Sequence, residues 1–407
     1  MRRALQTAAL VGVLALTATA CSSDKKASNP TATTTVTNST TTAKSGDTTT
    51  SSAAVDVKGE GAVNVVAWAG YVENGANDPK VDWMSAWEKD TGCKLNVKVG
   101  NTSDEMVQLM QTGDYDVVSA SGDATQRLMA GGDVIELDLT KVPNYADIFA
   151  DLKLKPWNSK DGKPYGAPQG RGANLLMYNT DVVKTAPDSW GVVFDASSPY
   201  KGKVTAYDAP IYIADAAVYL KTAKPELKIT NPYELDDKQF TAAVALLKVQ
   251  KTIVGEYWAE YAKSQSAFEQ GSIVLGTTWQ VIANGAVANK APVAVTLPKE
   301  GATGWSDTWM ISSKSKHPNC AYKFVNHIVS PQANAANSEY FGEAPANAKA
   351  CDLTSDKEFC KTFHASDESY FKNVYYWTTP VADCGDDRGK VCKTFDDWTK
   401  AWTEIKG

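Results

Sequence analysis

The apolar positions fall into short runs separated by stretches with a helical period. Residues 63–68 (Val-Asn-Val-Val-Ala-Trp) form a β-type run that ends in a small-residue turn, a helical pattern continues through Val81, Trp83, Met84 and Trp87, and residues 94–99 alternate like a half-buried strand. The body therefore opens strand, helix, strand. Residues 103–110 predict a helix, because Thr102 or Ser103 can accept from its first free N–H groups while Asp104 and Glu105 stand at its positive end. Residues 115–120 read as a buried strand before a Ser/Gly turn. Strands alternating with helices at this spacing predict a largely parallel α/β sheet, with a ligand crevice beyond the carboxyl ends of its strands. Residues 68–71 and 119–123 fall there.

The pattern then recurs in a new register. Residues 175–179 and 203–208 are strand-like, Pro210 introduces an apolar helix over 214–220, residues 271–276 lead to Thr278 and Trp279, and a helix is expected over 321–328. Two α/β lobes with the chain crossing between them near 167 and 295 account for this, with a cleft at their seam. The expected division is 62–167 with 296–340 in the first lobe, and 168–295 with 341–407 in the second.

The N-terminal stretch reads as an address. Arg2 and Arg3 precede an apolar run too short to span a bilayer, and small residues lead to Cys21, so residues 1–20 are expected to be a secretory leader. The leader resembles the lipobox of bacterial lipoproteins, which implies lipidation of Cys21 and an anchor in the membrane outside the cytoplasm. Residues 21–61 are mostly Ser, Thr, Ala, Lys and Gly, with too little apolar surface to offset the entropy of ordering, and read as a tether. Setting Cys21 apart leaves six of the seven cysteines, an even number in an exported chain. Proximity pairs Cys351 with Cys360 and Cys384 with Cys392, and elimination then pairs Cys93 with Cys320, one of the roughly 15 arrangements open to six cysteines.

Charge and composition narrow the function. Lys and Arg number 41 against 47 Asp and Glu, so the net charge of -6 offers no basic excess for a phosphate backbone, and nucleic acid is not an expected partner. Three histidines, His317, His327 and His364, are scattered, which leaves little for His-based catalysis or metal binding. Trp (12) and Tyr (17) are abundant, which suits gripping a ligand with ring faces and carboxylates. No Gly-x-Ser/Cys-x-Gly elbow occurs and no Cys-x-x-Cys spacing exists, so neither an enzyme nor a cofactor is expected.

The strings Val66-Ala67-Trp68-Ala69-Gly70-Tyr71, Tyr115-Asp116-Val117-Val118, Tyr207-Asp208, Trp279 and Pro298-Lys299-Glu300-Gly301 followed by Trp305-Ser306-Asp307 carry a family resemblance. The chain resembles the solute-binding proteins of polyamine (spermidine/putrescine) ABC transporters over roughly residues 62–345. Within them it is similar to the group described as bifunctional polyhydroxybutyrate synthase/ABC transporter periplasmic binding proteins, sharing Thr102-Ser103-Asp104-Glu105-Met106, Ala120-Ser121-Gly122-Asp123-Ala124, Asn174-Leu175-Leu176-Met177-Tyr178-Asn179 and Pro210-Ile211-Tyr212-Ile213-Ala214-Asp215. The resemblance implies the two-lobed periplasmic-binding-protein (type II) α/β fold with a hinged interlobe cleft.

It also implies a monomeric receptor that binds a small amine and delivers it to the membrane permease subunits of an importer. Carried over by position, Trp68 and Tyr71 are the first-strand aromatic pair, Asp208 is one ammonium-binding carboxylate, Trp279 is a ring wall, and Trp305 with Asp307 hold the other end. Ser121 lies in the same crevice. Three departures bear on the ligand: Ala120 and Gly122 stand where the family has Ser and Tyr, Ile211 replaces a second carboxylate, and Arg171 takes a ring position. A cationic Arg171 facing the cleft would favour a carboxylate, so a zwitterion such as γ-aminobutyrate is the alternative to putrescine or a spermidine-like polyamine. Asp123 is expected to cap the helix containing Arg127.

Overall fold

The computed structural model describes residues 58–76 and 78–407. The expected leader, Cys21 and most of the expected tether lie outside them. In the first lobe, Ala62–Trp68 pairs in parallel with Lys94–Gly100 on one side and Val117–Ala120 on the other. Thr308–Ile311 then runs antiparallel to Val117–Ala120, and Ala167–Pro168 completes the sheet. The second lobe repeats the plan. Val254–Trp258, Val204–Tyr207 and Leu275–Thr278 are parallel, and Leu175–Asn179 lies antiparallel between Leu275–Thr278 and Val293–Thr296.

Both sheets are therefore mixed, which corrects the largely parallel expectation. The reason lies in the crossovers. Thr308 pairs with Ala120 and Leu175 with Thr278, so each strand arriving from the other lobe enters at the carboxyl edge of the parallel strands and must run against them. Between the lobes, Ala344–Pro345, Gly170–Ala173, Ala302–Trp305 and Val374–Tyr376 form a four-stranded sheet that carries the crossings.

Local chemistry sets the elements. The helix Ser103–Thr112 starts where the Thr102 hydroxyl accepts from the Glu105 N–H at 3.1 Å, and it stops at Gly113 in the left-handed region. The helical pattern read from Val81 onward shrinks to Ser85–Thr91. Gly75 and Pro79 interrupt the stretch before it, and the Asp82 carboxylate accepts from the Met84 and Ser85 N–H groups, which fixes the start late. Disulfides join Cys351 to Cys360 and Cys384 to Cys392, as expected from proximity, and Cys93 to Cys320, as expected by elimination. The last of them ties the edge strand Lys94–Gly100 to the helix Pro318–Ile328.

Candidate functional site

The first strand delivers Trp68 at its carboxyl end, and a tight turn in which the Tyr71 N–H donates to the Trp68 carbonyl swings Tyr71 inward. Ser121 stands at the N-terminus of the helix Gly122–Gly131, directly after the strand Val117–Ala120. Asp307 lies in the link between Ala302–Trp305 and Thr308–Ile311. These elements converge on one carboxylate. Ser121 Oγ donates to Asp307 Oδ1 at 2.5 Å, and Tyr71 Oη lies 2.8 Å from Asp307 Oδ2 and 3.0 Å from Glu343 Oε2. Gln169 Nε2 donates to the other Glu343 oxygen at 2.9 Å, and Gln169 Oε1 accepts from Trp309 Nε1 at 2.7 Å. Rings surround this group. Trp68 meets Trp279 of the second lobe edge-on with centroids 5.9 Å apart, and Trp305 meets Phe341 edge-on at 5.8 Å. The indole N–H groups of Trp68 and Trp305 are buried without a hydrogen-bond partner.

The electrostatics are unusual for a folded interior. Asp307 and Glu343 are buried at 3% and 1% exposure, and no Lys, Arg or His among the described residues pairs with either. Burial pushes the Asp307 carboxyl up to about 6, against the lowering effect of the Ser121 and Tyr71 hydrogen bonds. Burial pushes Glu343 up to about 8, with the nearby Asp307 charge adding to it. Tyr71 has one hydroxyl hydrogen for two carboxyl groups. At neutral pH, Glu343 therefore keeps its proton and donates to Tyr71, which donates to Asp307. The result is one buried anion framed by indoles, a place that suits a cation.

The crossover strand Gly170–Ala173 makes this packing possible. A Cβ on Gly172 would lie 2.5 Å from the Trp305 ring, and one on Gly170 would lie 2.6 Å from Glu343 Cδ, so Gly-x-Gly clears space for both side chains. Arg171 between them points to the opposite side of the strand, as strand alternation requires. Its guanidinium donates to Asp151 at 2.5 Å and to the Ala365 carbonyl at 2.9 Å, and it stacks 4.1 Å over Phe371.

Asp208 is engaged elsewhere. Lys406 Nζ lies 2.6 Å from its Oδ2 and Trp402 Nε1 donates to its Oδ1 at 3.1 Å, both from the C-terminal helix Phe395–Lys406. Asp123 lies in the first turn of its helix, where it accepts from Ser103 Oγ at 2.9 Å and faces Arg127 Nη2 at 3.5 Å. The structure thus brings together Tyr71, Ser121, Trp305 and Asp307, with Trp68 at the preceding strand end and Trp279 against Trp68. Asp208 is paired with Lys406, and Arg171 is paired with Asp151 but lines one cavity of about 520 Å³ with Trp305 and Glu343. Glu343 is the addition that sequence reasoning missed. The only signal for it was an acidic residue inside an apolar run after the helix Pro331–Phe341.

Comparison with known proteins places this architecture. The family model described as bacterial extracellular solute-binding protein matches residues 82–362. The chain belongs to that family. A putrescine/cadaverine-binding protein of Pseudomonas aeruginosa is 27% identical over 287 residues, covering 66% of this chain and 77% of its own length. The putrescine-binding periplasmic protein PotF of Escherichia coli is 26% identical over 365 residues, covering 84% and 91%. Among solved structures, the spermidine/putrescine ABC transporter substrate-binding protein PotD of Streptococcus pneumoniae, crystallised with calcium and HEPES, superimposes with a TM-score of 0.64 at 18% identity, over 85% of this chain and 97% of its own. The fold is that of these two-lobed solute-binding proteins, with the ring-and-carboxylate group at the seam.

Proposed function

We propose that this solute-binding protein is a lipid-anchored, extracytoplasmic receptor of an ABC importer that captures a small polyamine, putrescine or a spermidine-like amine, and hands it to membrane permease subunits. The observation that carries the reading is Asp307, buried beside Glu343, Tyr71 and Ser121, with no cationic side chain of the described residues to neutralise it. An ammonium group supplies that charge. A hydrogen bond to a charged partner contributes about 1.5–3 kcal/mol, and a ring face adds about 0.5–2 kcal/mol of cation–π attraction. The relatives named for putrescine support the same ligand class. The zwitterion alternative depends on Arg171 entering the cleft. Its pairing with Asp151 favours a ligand without a carboxylate.

Calorimetry on the exported, detergent-solubilised protein tests this with putrescine, spermidine, agmatine and γ-aminobutyrate. One of the amines is expected to bind near about -8 kcal/mol, the micromolar range, and Asp307→Asn is expected to weaken it at least about tenfold. Silence from all four, or an unchanged affinity in Asp307→Asn, overturns the reading.

A further inference from the structure

A separate cavity lies along Val374–Tyr376, the edge strand of the four-stranded sheet that carries the crossings, and no member of the Asp307 group lines it. Its walls come from both lobes, with Trp157 from the first and Tyr233 and Glu234 from the second. The volume is about 540 Å³, within the range of small-molecule sites. Pro156 and Val381 in its lining are exposed, Val381 at 51%, so the cavity opens to solvent.

Rings and one carboxylate give this cavity its character. Trp157 and Tyr376 meet with centroids 5.1 Å apart, and Tyr233 is fixed by its hydroxyl, which donates to the Tyr375 carbonyl at 2.8 Å. Lys221 already lies 4.8 Å over the Tyr375 ring and donates to its hydroxyl, so that ring is taken. Glu234 is not served in this way, because no Lys, Arg or His among the described residues makes an ion pair with its carboxylate. Arg388 turns its guanidinium to other partners: Nε donates to Asp386 at 2.9 Å, and Nη1 donates to the Glu234 backbone carbonyl at 3.0 Å and to Gln239 Oε1 at 2.8 Å. Burial holds the Glu234 carboxyl above its ordinary range, with the Asp386 and Asp383 charges adding to it against an Asn231 hydrogen bond and the Arg388 charge. The Trp157 indole N–H is buried without a partner, which leaves a donor for an oxygen.

We infer that this cavity is a second, separate site for a small organic cation that also carries an acceptor oxygen. Its positive charge lies beside Glu234 and against the rings of Trp157 and Tyr376, and its oxygen accepts from Trp157 Nε1. The site goes beyond the amine reading of the cleft and does not depend on it, since the two share no residue.

The probe is acetylcholine, which has a cationic head and an ester carbonyl, set against 3,3-dimethylbutyl acetate, its uncharged counterpart of the same shape. Calorimetry on the exported, detergent-solubilised protein should find acetylcholine at least about tenfold tighter than the neutral ester. Glu234→Gln should remove that preference while leaving putrescine binding within about twofold. Val381→Trp, at an exposed position, should fill the opening and weaken acetylcholine at least about tenfold with the melting temperature unchanged. Asp307→Asn should leave acetylcholine within about twofold. Melting temperature checks that each variant is folded, and the tryptophan variant carries the test if the glutamine variant does not fold. Equal affinity for the two esters, no binding of acetylcholine, a loss in Asp307→Asn in place of Glu234→Gln, or binding that survives both Glu234→Gln and Val381→Trp overturns the site. Failure of the unsubstituted protein to bind putrescine overturns the reading of the cleft and leaves the acetylcholine result to decide this site.

Discussion

A single phenolic hydrogen on Tyr71 serves two carboxyl groups, and this makes the Asp307 centre sensitive to pH. Folding raises Glu343 from 4.5 to about 8 and Asp307 from 3.8 to about 6, through burial first in both. The folded protein therefore holds these protons more tightly than the unfolded chain does. The stability that follows is complete below the ordinary values and is lost as pH rises through about 6 and then about 8. The ligand-free protein should accordingly melt at a falling temperature between about pH 5 and 8.5, and Glu343→Gln should flatten the upper part of that slope. Ligand affinity should move the opposite way, because an ammonium competes with the proton on Asp307: below about pH 6 it should fall by up to about tenfold per pH unit. A flat affinity profile from pH 4.5 to 7 would place the ligand away from this carboxylate.

Among the elements, the strand Gly170–Ala173 does most to shape the site. Its two glycines give up their Cβ positions to Trp305 and Glu343, so Gly172→Ala should displace the Trp305 ring and weaken amine binding about tenfold while the secondary structure by circular dichroism stays intact. Unchanged binding in that variant would mean that the indole is not part of the ligand wall. The sequence made some of this legible and hid the rest for physical reasons. Trp68, Tyr71 and Ser121 sit where strand ends must open onto a crevice, so topology alone pointed to them. Glu343 is different, since it joins the group only through tertiary contact with Tyr71 and Gln169, far from it in the chain. Asp208 ends a strand in sequence as a cleft carboxylate should, and its pairing with Trp402 and Lys406, 194 and 198 residues further along the chain, arises only from tertiary packing.

At the scale of the whole molecule, two mixed sheets are joined by a hinge sheet, and the chain crosses between them repeatedly. The Cys93–Cys320 bond closes a separation of 227 residues, for which the chain-entropy model gives about 5 kcal/mol, against about 2.5 kcal/mol for each short loop near the C-terminus. Replacing both Cys93 and Cys320 with Ser should thus lower the denaturation midpoint more than replacing either of the other pairs. An equal or smaller loss would show that the unfolded chain is already constrained there. The three bonds share one further property: reading from Cys93 onward, each cysteine is joined to the next one along the chain. A polypeptide threaded out of the cell amino-terminus first presents its thiols in that order, so an oxidase that simply links neighbours as they emerge makes the native set. Secretion of this receptor should depend on an oxidant and be indifferent to loss of a disulfide-shuffling isomerase.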